Sequence, residues 1–190
     1  MRVALVRSAA LVTALFATAC AEKAPEVVET PDPACFGNRV LSFQDVSAEV
    51  VIPSGESCGS GTFRVIFTRG ADTLATLEES RTGSVGFIGT SDVDGDGRGE
   101  FFVATFSADS AAIGMLYAFT DATTGILKFP LAELDSTQRV GYAGRDRFGF
   151  GGGDQLVRAF PRGAAGDTAW FGYSQGGSKW TSIERPSWVR

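Results

Sequence analysis

Residues 91–100 read SDVDGDGRGE, with Asp92, Asp94 and Asp96 at alternate positions, Gly97 directly after them and Glu100 at the end. Carboxylates this close repel one another by about 1 kcal/mol or more per pair, depending on the local dielectric. A hard divalent cation removes that repulsion, and Ca2+ accepts roughly six to eight oxygens at flexible distances. In a loop of this kind the first, third and fifth residues give carboxylates, the sixth turns sharply as glycine, and the seventh, here Arg98, gives its backbone carbonyl. Glu100, in ninth place, would bind directly or through water. The expected metal set is therefore Asp92, Asp94, Asp96, Arg98 and Glu100, with calcium in a structural role, because a shell filled by protein oxygens leaves little open coordination. The competing reading is a solvated acidic turn that binds no metal tightly. Position twelve is Val103, where an EF-hand needs a bidentate glutamate, so the loop is not an EF-hand.

Other catalytic chemistry finds little to work with. The chain has no histidine, which removes Ser-His-Asp, Cys-His and His-metal designs. Beyond the first 20 residues the lysines are Lys23, Lys128 and Lys179. Residues 148–153 are glycine-rich, but Asp154 stands where a phosphate-binding loop needs its third glycine. Clustered carboxylates could in principle hydrolyse glycosides, yet the clustered ones are those of the acidic loop. We therefore expect no enzyme.

The elements that must position these residues read as strands. Residues 46–52 alternate, with Val46, Ala48, Val50 and Ile52 on one face, and residues 62–68 do the same with Phe63, Val65 and Phe67. Residues 85–89 and 100–106 (EFFVATF) flank the acidic loop. Residues 114–120 and 156–160 are short, aromatic and branched. Glycines at 55, 59, 61, 70, 83, 125 and 141 punctuate the segments like turns. Helical signal is confined to one turn at 131–134, after Pro130 and before Ser136. The last third, with GYAGRDRFGFGGG at 141–153 and GYSQGGSK at 172–179, mixes glycine with Phe148, Phe150, Trp170, Phe171, Tyr173 and Trp180. Such spacing predicts tight hairpins packed by large rings, or else an exposed aromatic surface. The fold class is mostly β: a single antiparallel barrel or sandwich over residues 35–190.

The first twenty residues carry an address. Arg2 and Arg7 precede an apolar stretch at 8–19 that is too short to span a bilayer. It ends in Ala17-Thr18-Ala19-Cys20, which resembles the lipobox of bacterial lipoprotein signals and implies cleavage before Cys20 and acylation of that residue. Ala21 rather than aspartate follows, which implies an outer-membrane lipoprotein facing the periplasm or cell surface, held by its lipid anchor. Residues 20–34 then form a Pro- and Glu-rich tether. Removing Arg2 and Arg7 from the 17 basic side chains leaves 15 against 22 acidic ones, a net −7. That balance disfavours nucleic acid and suits a cationic partner. Cys35 and Cys58 read as a disulfide in an oxidising compartment, worth about 3 kcal/mol in the chain-entropy model. Two thiols could also begin a metal site, but there is no histidine to complete it.

Residues 60–120 are similar to the periplasmic I-type lysozyme inhibitors. The likeness runs through Gly61-Thr62-Phe63-Arg64-Val65-Ile66-Phe67, the acidic loop from Asp92 to Glu100, the strand Phe101 to Thr105, the small loop Ser107 to Ile113, and Tyr117-Ala118-Phe119. It implies an antiparallel β barrel or sandwich, often a homodimer, whose serine-rich loop enters the cleft of a lysozyme-like hydrolase. Ser107, Ser110 and Ile113 would be the contacts. The chain departs from that pattern inside the loop: Ala111 and Ile113 stand where the family has glycine and tyrosine. Strand–DxDxDG–strand also resembles the calcium loops of FG-GAP sequences, which implies the alternative of a calcium-stabilised structural or adhesive envelope lipoprotein without a hydrolase target. A full propeller would need several such loops. The segment 137–190, with LVRAFP and Gly166-Asp167, resembles a recurring tail of small proteobacterial lipoproteins.

Overall fold

The computed structural model describes residues 39–152, 154–163, 166–173 and 179–186. Cys20, the tether and Cys35 lie outside these residues, as do the expected lipidation and the Cys35 end of the expected bridge, while Cys58, which is described, is disulfide-bonded. Twelve strands form three four-stranded antiparallel sheets, each a meander in chain order. The first holds β1 (Arg39–Phe43), β2 (Val46–Val51), β3 (Ser60–Arg69) and β4 (Asp72–Thr82). The second holds β5 (Ser84–Ser91), β6 (Glu100–Phe106), β7 (Gly114–Ala122) and β8 (Gly125–Lys128). The third runs β9 (Arg147–Phe150), β10 (Leu156–Arg162), β11 (Asp167–Tyr173) and β12 (Thr181–Ser182). The sheets stack face to face without closing, so the sandwich form of the expectation holds.

Alternation along the strands dictates the stacking. Val46, Ala48 and Val50 of β2 and Phe63, Val65 and Phe67 of β3 are buried on one face, in register at Val50 with Val65 and Ala48 with Phe67. They pack against Val85, Phe101, Val103, Phe119 and Ile126 of the second sheet. On its other face the second sheet puts Phe102 and Ala118 against Leu156, Phe160, Phe171, Tyr173 and Trp180. Strand β6 is thus covered on both sides, and it reads as a continuous apolar run because neither face meets water. Phe102 is fully buried, and truncating such a ring costs about 3–5 kcal/mol.

The aromatic last third goes into this second core. Phe160 and Phe171 stack at 5.6 Å, and Tyr173 meets Trp180 edge-on at 5.3 Å. Residues 131–134, expected as a helical turn, are irregular instead, and no helix occurs among the described residues. Leu134 plugs the second core, and the carbonyl of Ala132 accepts the Trp180 indole N–H at 2.8 Å. The turn falls at 136–141 and opens on Asp135, whose carboxylate accepts the N–H groups of Thr137 and Gln138, both at 2.8 Å.

Strand β4 has no clean apolar alternation, yet it pairs with β3 over its full length. Its inner face carries Arg81, whose side chain is fully buried. The guanidinium donates to the carbonyls of Ser57, Cys58, Thr62 and Gly83 and meets Glu56 at 3.4 Å, which clamps the turn that bears Cys58. At Glu56, burial works against the charge, but hydrogen bonds from Thr62 and the nearby Arg81 outweigh it and lower the pKa.

Candidate functional site

Two loops leave opposite ends of β6, and they are built in different ways. The acidic loop, between β5 and β6, winds on its own carboxylates. Asp92 accepts the N–H of Gly95 at 2.7 Å on one oxygen and that of Gly97 at 2.9 Å on the other. Asp94 accepts the Asp96 N–H at 3.1 Å, and Asp96 accepts the Arg98 N–H at 2.8 Å. Gly95 and Gly97 have φ of 75° and 84°, a left-handed backbone that glycine adopts without steric cost.

Glu100 closes the loop from beneath. It is fully buried, takes the Val93 N–H at 2.9 Å on one oxygen and the Thr120 hydroxyl at 2.9 Å on the other. Burial pushes its pKa up to about 7, and the negative charges of Asp94 and Asp96 push the same way, against the two hydrogen bonds. Oxygens of Asp92, Asp94 and Glu100 lie within 4.8 Å of one another. That group does not take in Asp96, and Arg98 turns its side chain toward the carbonyl of Asp121 at 3.5 Å.

The donor set fits a hard cation. All three residues offer carboxylate oxygens, and each oxygen already holding one N–H or O–H keeps a second lone pair. Asp92, Asp94 and Glu100 are the residues that would hold calcium. Two supports escaped sequence reasoning. Gln44 donates to the Gly97 carbonyl at 2.9 Å, and Ser91 donates to the carboxylate of Asp154 at 3.0 Å. Neither is signalled locally, since Gln44 and Asp154 come from hairpins of other sheets.

The loop between β6 and β7 carries no such cluster. Its mouth is closed by the Ser107 N–H to the Ile113 carbonyl at 3.0 Å and by the Ile113 N–H to the Ser107 hydroxyl at 2.7 Å. The same hydroxyl donates to Asp109 at 2.7 Å, and the Asp109 carboxylate also accepts the N–H groups of Ala111 and Ala112. The Ser107 bond, followed by those amides, holds the Asp109 carboxyl below its ordinary pKa. Ser110 and Ile113 are exposed, while Ser107 is spent on holding the loop shut. Of the three expected contact residues, two therefore face solvent and one shapes the loop.

The irregular segment that leads into β9 braces this loop from behind. The Arg145 N–H donates to the Ala111 carbonyl, and Gly144, with φ of 87°, lies so close that a methyl group there would sit 1.9 Å from that oxygen. Asp146 is buried and accepts the N–H of Gly114 at 2.7 Å, the Tyr142 hydroxyl, and the Arg158 guanidinium at 2.8 Å. Burial, followed by the hydrogen bond to Asp146 and its charge, pushes the Tyr142 phenol up to about 12. Sequence reasoning met Tyr142, Gly144, Arg145, Asp146 and Arg158 only as part of the tail's likeness to small lipoproteins and gave them no role. The available signal was the charged triplet Arg145-Asp146-Arg147 inside an otherwise glycine- and aromatic-rich run.

No family model matches the chain, and no curated protein matches it. Two solved structures resemble part of it. One is Aeromonas hydrophila PliI in complex with Meretrix lusoria lysozyme, at 24% identity and a TM-score of 0.45, over 48% of this chain and 80% of that one. The other is PliI-Ah, a periplasmic lysozyme inhibitor of I-type lysozyme from the same Aeromonas species, at 22% identity and a TM-score of 0.45, over 49% of this chain and 83% of that one. Roughly half of this chain therefore falls outside both likenesses.

Proposed function

We propose that the chain is a binding protein of the cell envelope that inhibits lysozyme-like peptidoglycan hydrolases through its β6–β7 loop. The observation that carries this reading is the preformed loop. Ser107 and Asp109 close it, a second segment braces it, and Ser110 and Ile113 stand out at its surface. A loop already fixed in shape loses little conformational entropy when it enters a cleft. The likeness of residues 60–120 to the I-type lysozyme inhibitors supports the same target. The Ser110 hydroxyl then bonds a polar group of the cleft, and Ile113 lies against an apolar wall. The acidic surface of the mature chain hastens encounter with a cationic hydrolase.

Calcium in the loop of Asp92, Asp94 and Glu100 would hold the far end of β6 without taking part in contact. Anchoring of Cys20 in the outer membrane would place the domain in the periplasm or at the cell surface, and homodimerisation through an open sheet edge is compatible with that placement. The test is inhibition. The chain from residue 20 onward, with Cys20 replaced by serine, is titrated against invertebrate-type, chicken-type and bacterial lysozymes in calcium and in chelator. Inhibition near stoichiometry that is lost with Ser110→Trp supports the reading. No inhibition of any member, or inhibition untouched by Ser110→Trp, sinks it.

A further inference from the structure

The brace behind the β6–β7 loop also reaches the surface. Ser110, Ala111, Ala143, Arg145, Pro161 and Gly163 line one open depression of about 350 Å3. Two non-glycine residues there hold a left-handed backbone, Ala112 with φ of 43° and Arg145 with φ of 59°. L-residues adopt that conformation at a cost, and such strain gathers where a side chain must be aimed. At Arg145 the backbone N–H is spent on the Ala111 carbonyl, while the side chain is exposed and makes no hydrogen bond or ion pair among the described residues. The one carboxylate of the loop, Asp109, is exposed as well, but it is engaged by the Ser107 hydroxyl and two backbone amides. The surface beside Ser110 is thus led by an unengaged guanidinium, on a chain that is acidic as a whole.

We propose that the β6–β7 loop and the arch at 143–145 form one recognition surface, in which the Arg145 guanidinium binds a carboxylate in the cleft of a glycoside hydrolase. The inference rests on the function proposed above and names the chemistry of its contact. Glycoside hydrolases carry a pair of carboxylates at the scissile bond, and a planar guanidinium can meet a carboxylate through two parallel hydrogen bonds. The polar contact that the inhibitor pattern assigns to a tyrosine is absent here, since Ile113 occupies that place. Arg145 supplies a polar contact from the neighbouring segment, and the loop's bond to the arch fixes the two together. The acidic surface then serves encounter with a basic hydrolase, while the local cation serves docking in its acidic cleft.

The experiment measures binding of the same soluble chain to an invertebrate-type lysozyme, and to any other lysozyme it inhibits, by calorimetry at two salt concentrations. Arg145→Ala should weaken binding by about tenfold or more, and Arg145→Glu by more still. Arg145→Lys should restore part of the affinity. The melting temperature should stay the same in all three, because the exposed side chain makes no hydrogen bond or ion pair among the described residues, and the salt dependence of binding should fall with Arg145→Ala. Affinity of Arg145→Ala within about twofold of the parent, when Ser110→Trp abolishes binding, overturns the role of Arg145 and leaves the loop reading standing. A parent chain that binds no lysozyme overturns both.

Discussion

The two loops at the ends of β6 solve the same problem, fixing a short irregular segment, with local and distant contacts in different proportion. The acidic loop is closed from within: Asp92, Asp94 and Asp96 each accept an N–H from two to five residues ahead. Its cost is like charge gathered over a buried glutamate. The β6–β7 loop is also closed locally, by Ser107 and its one carboxylate, Asp109, but it is braced in addition by Gly144, Arg145 and Asp146, more than 30 residues further along the chain. We therefore expect the first loop to respond to cations and pH, and the second to whatever shifts the segment at 144–146.

The sharpest break in that contrast is Asp146→Ala. It leaves the Arg158 side chain, 13% exposed, without its ion partner and the Gly114 N–H without an acceptor. Losing one member of a buried pair costs about 3–5 kcal/mol, read as a lower urea midpoint. Hydrogen exchange should speed up across 107–113 and stay unchanged across 92–99; equal acceleration in both loops would contradict the division. Calcium comes next. At about 100 times its dissociation constant it should add roughly 2.7 kcal/mol to stability, a gain absent from Asp92→Asn/Asp94→Asn. Identical melting curves in calcium and chelator would remove the metal from the acidic loop.

Gly144→Ala should cost about 2 kcal/mol, since alanine is strained at φ of 87° and its methyl meets the Ala111 oxygen. Calcium affinity should not change, and a change would mean that the two loops are coupled through β6. The smallest effect is in pH. In chelator, Glu100 has a pKa of about 7 in the folded chain against an ordinary 4.5. The folded state binds the extra proton between those values, so the stabilising contribution is full below pH 4.5 and is lost as pH rises through 7. Melting temperature should fall over that window, and Glu100→Gln should flatten the fall. A parent and variant with parallel profiles would place the pH dependence elsewhere.

Much of the middle of the molecule was legible in the chain. EFFVATF was read as a strand with the bounds that β6 has, and the strands on either side were found within a few residues. Alternation at β2 and β3 pointed to the faces that are buried. The polar strand β4 was not legible, because LEES has no apolar face and its place is earned by pairing with β3 and by the buried Arg81. The turn at 131–134 misled because leucines after a proline fit a helix start, whereas Leu134 is drawn into a core that only the third sheet completes. The rings of the last third could have faced either way, and the second sheet, by offering Phe102 and Ala118, drew in Phe160, Phe171, Tyr173 and Trp180, while Phe148 and Trp170 stay half-buried.

The sequence by itself determined strands β2, β3, β5, β6, β7 and β10, the acidic loop and the place of the serine loop, for these rest on alternation, on contacts within a few residues and on motif likeness. Only the tertiary structure decided that Asp96 leaves the carboxylate group, that Ser107 shapes the loop while Ser110 faces solvent, and that Arg145 stands beside it. Those outcomes depend on the depth of Glu100 under its loop and on a brace between segments far apart in the chain. Local periodicity carries no trace of such distant pairings, because the hydrogen bonds that fix them form only once the sheets have stacked.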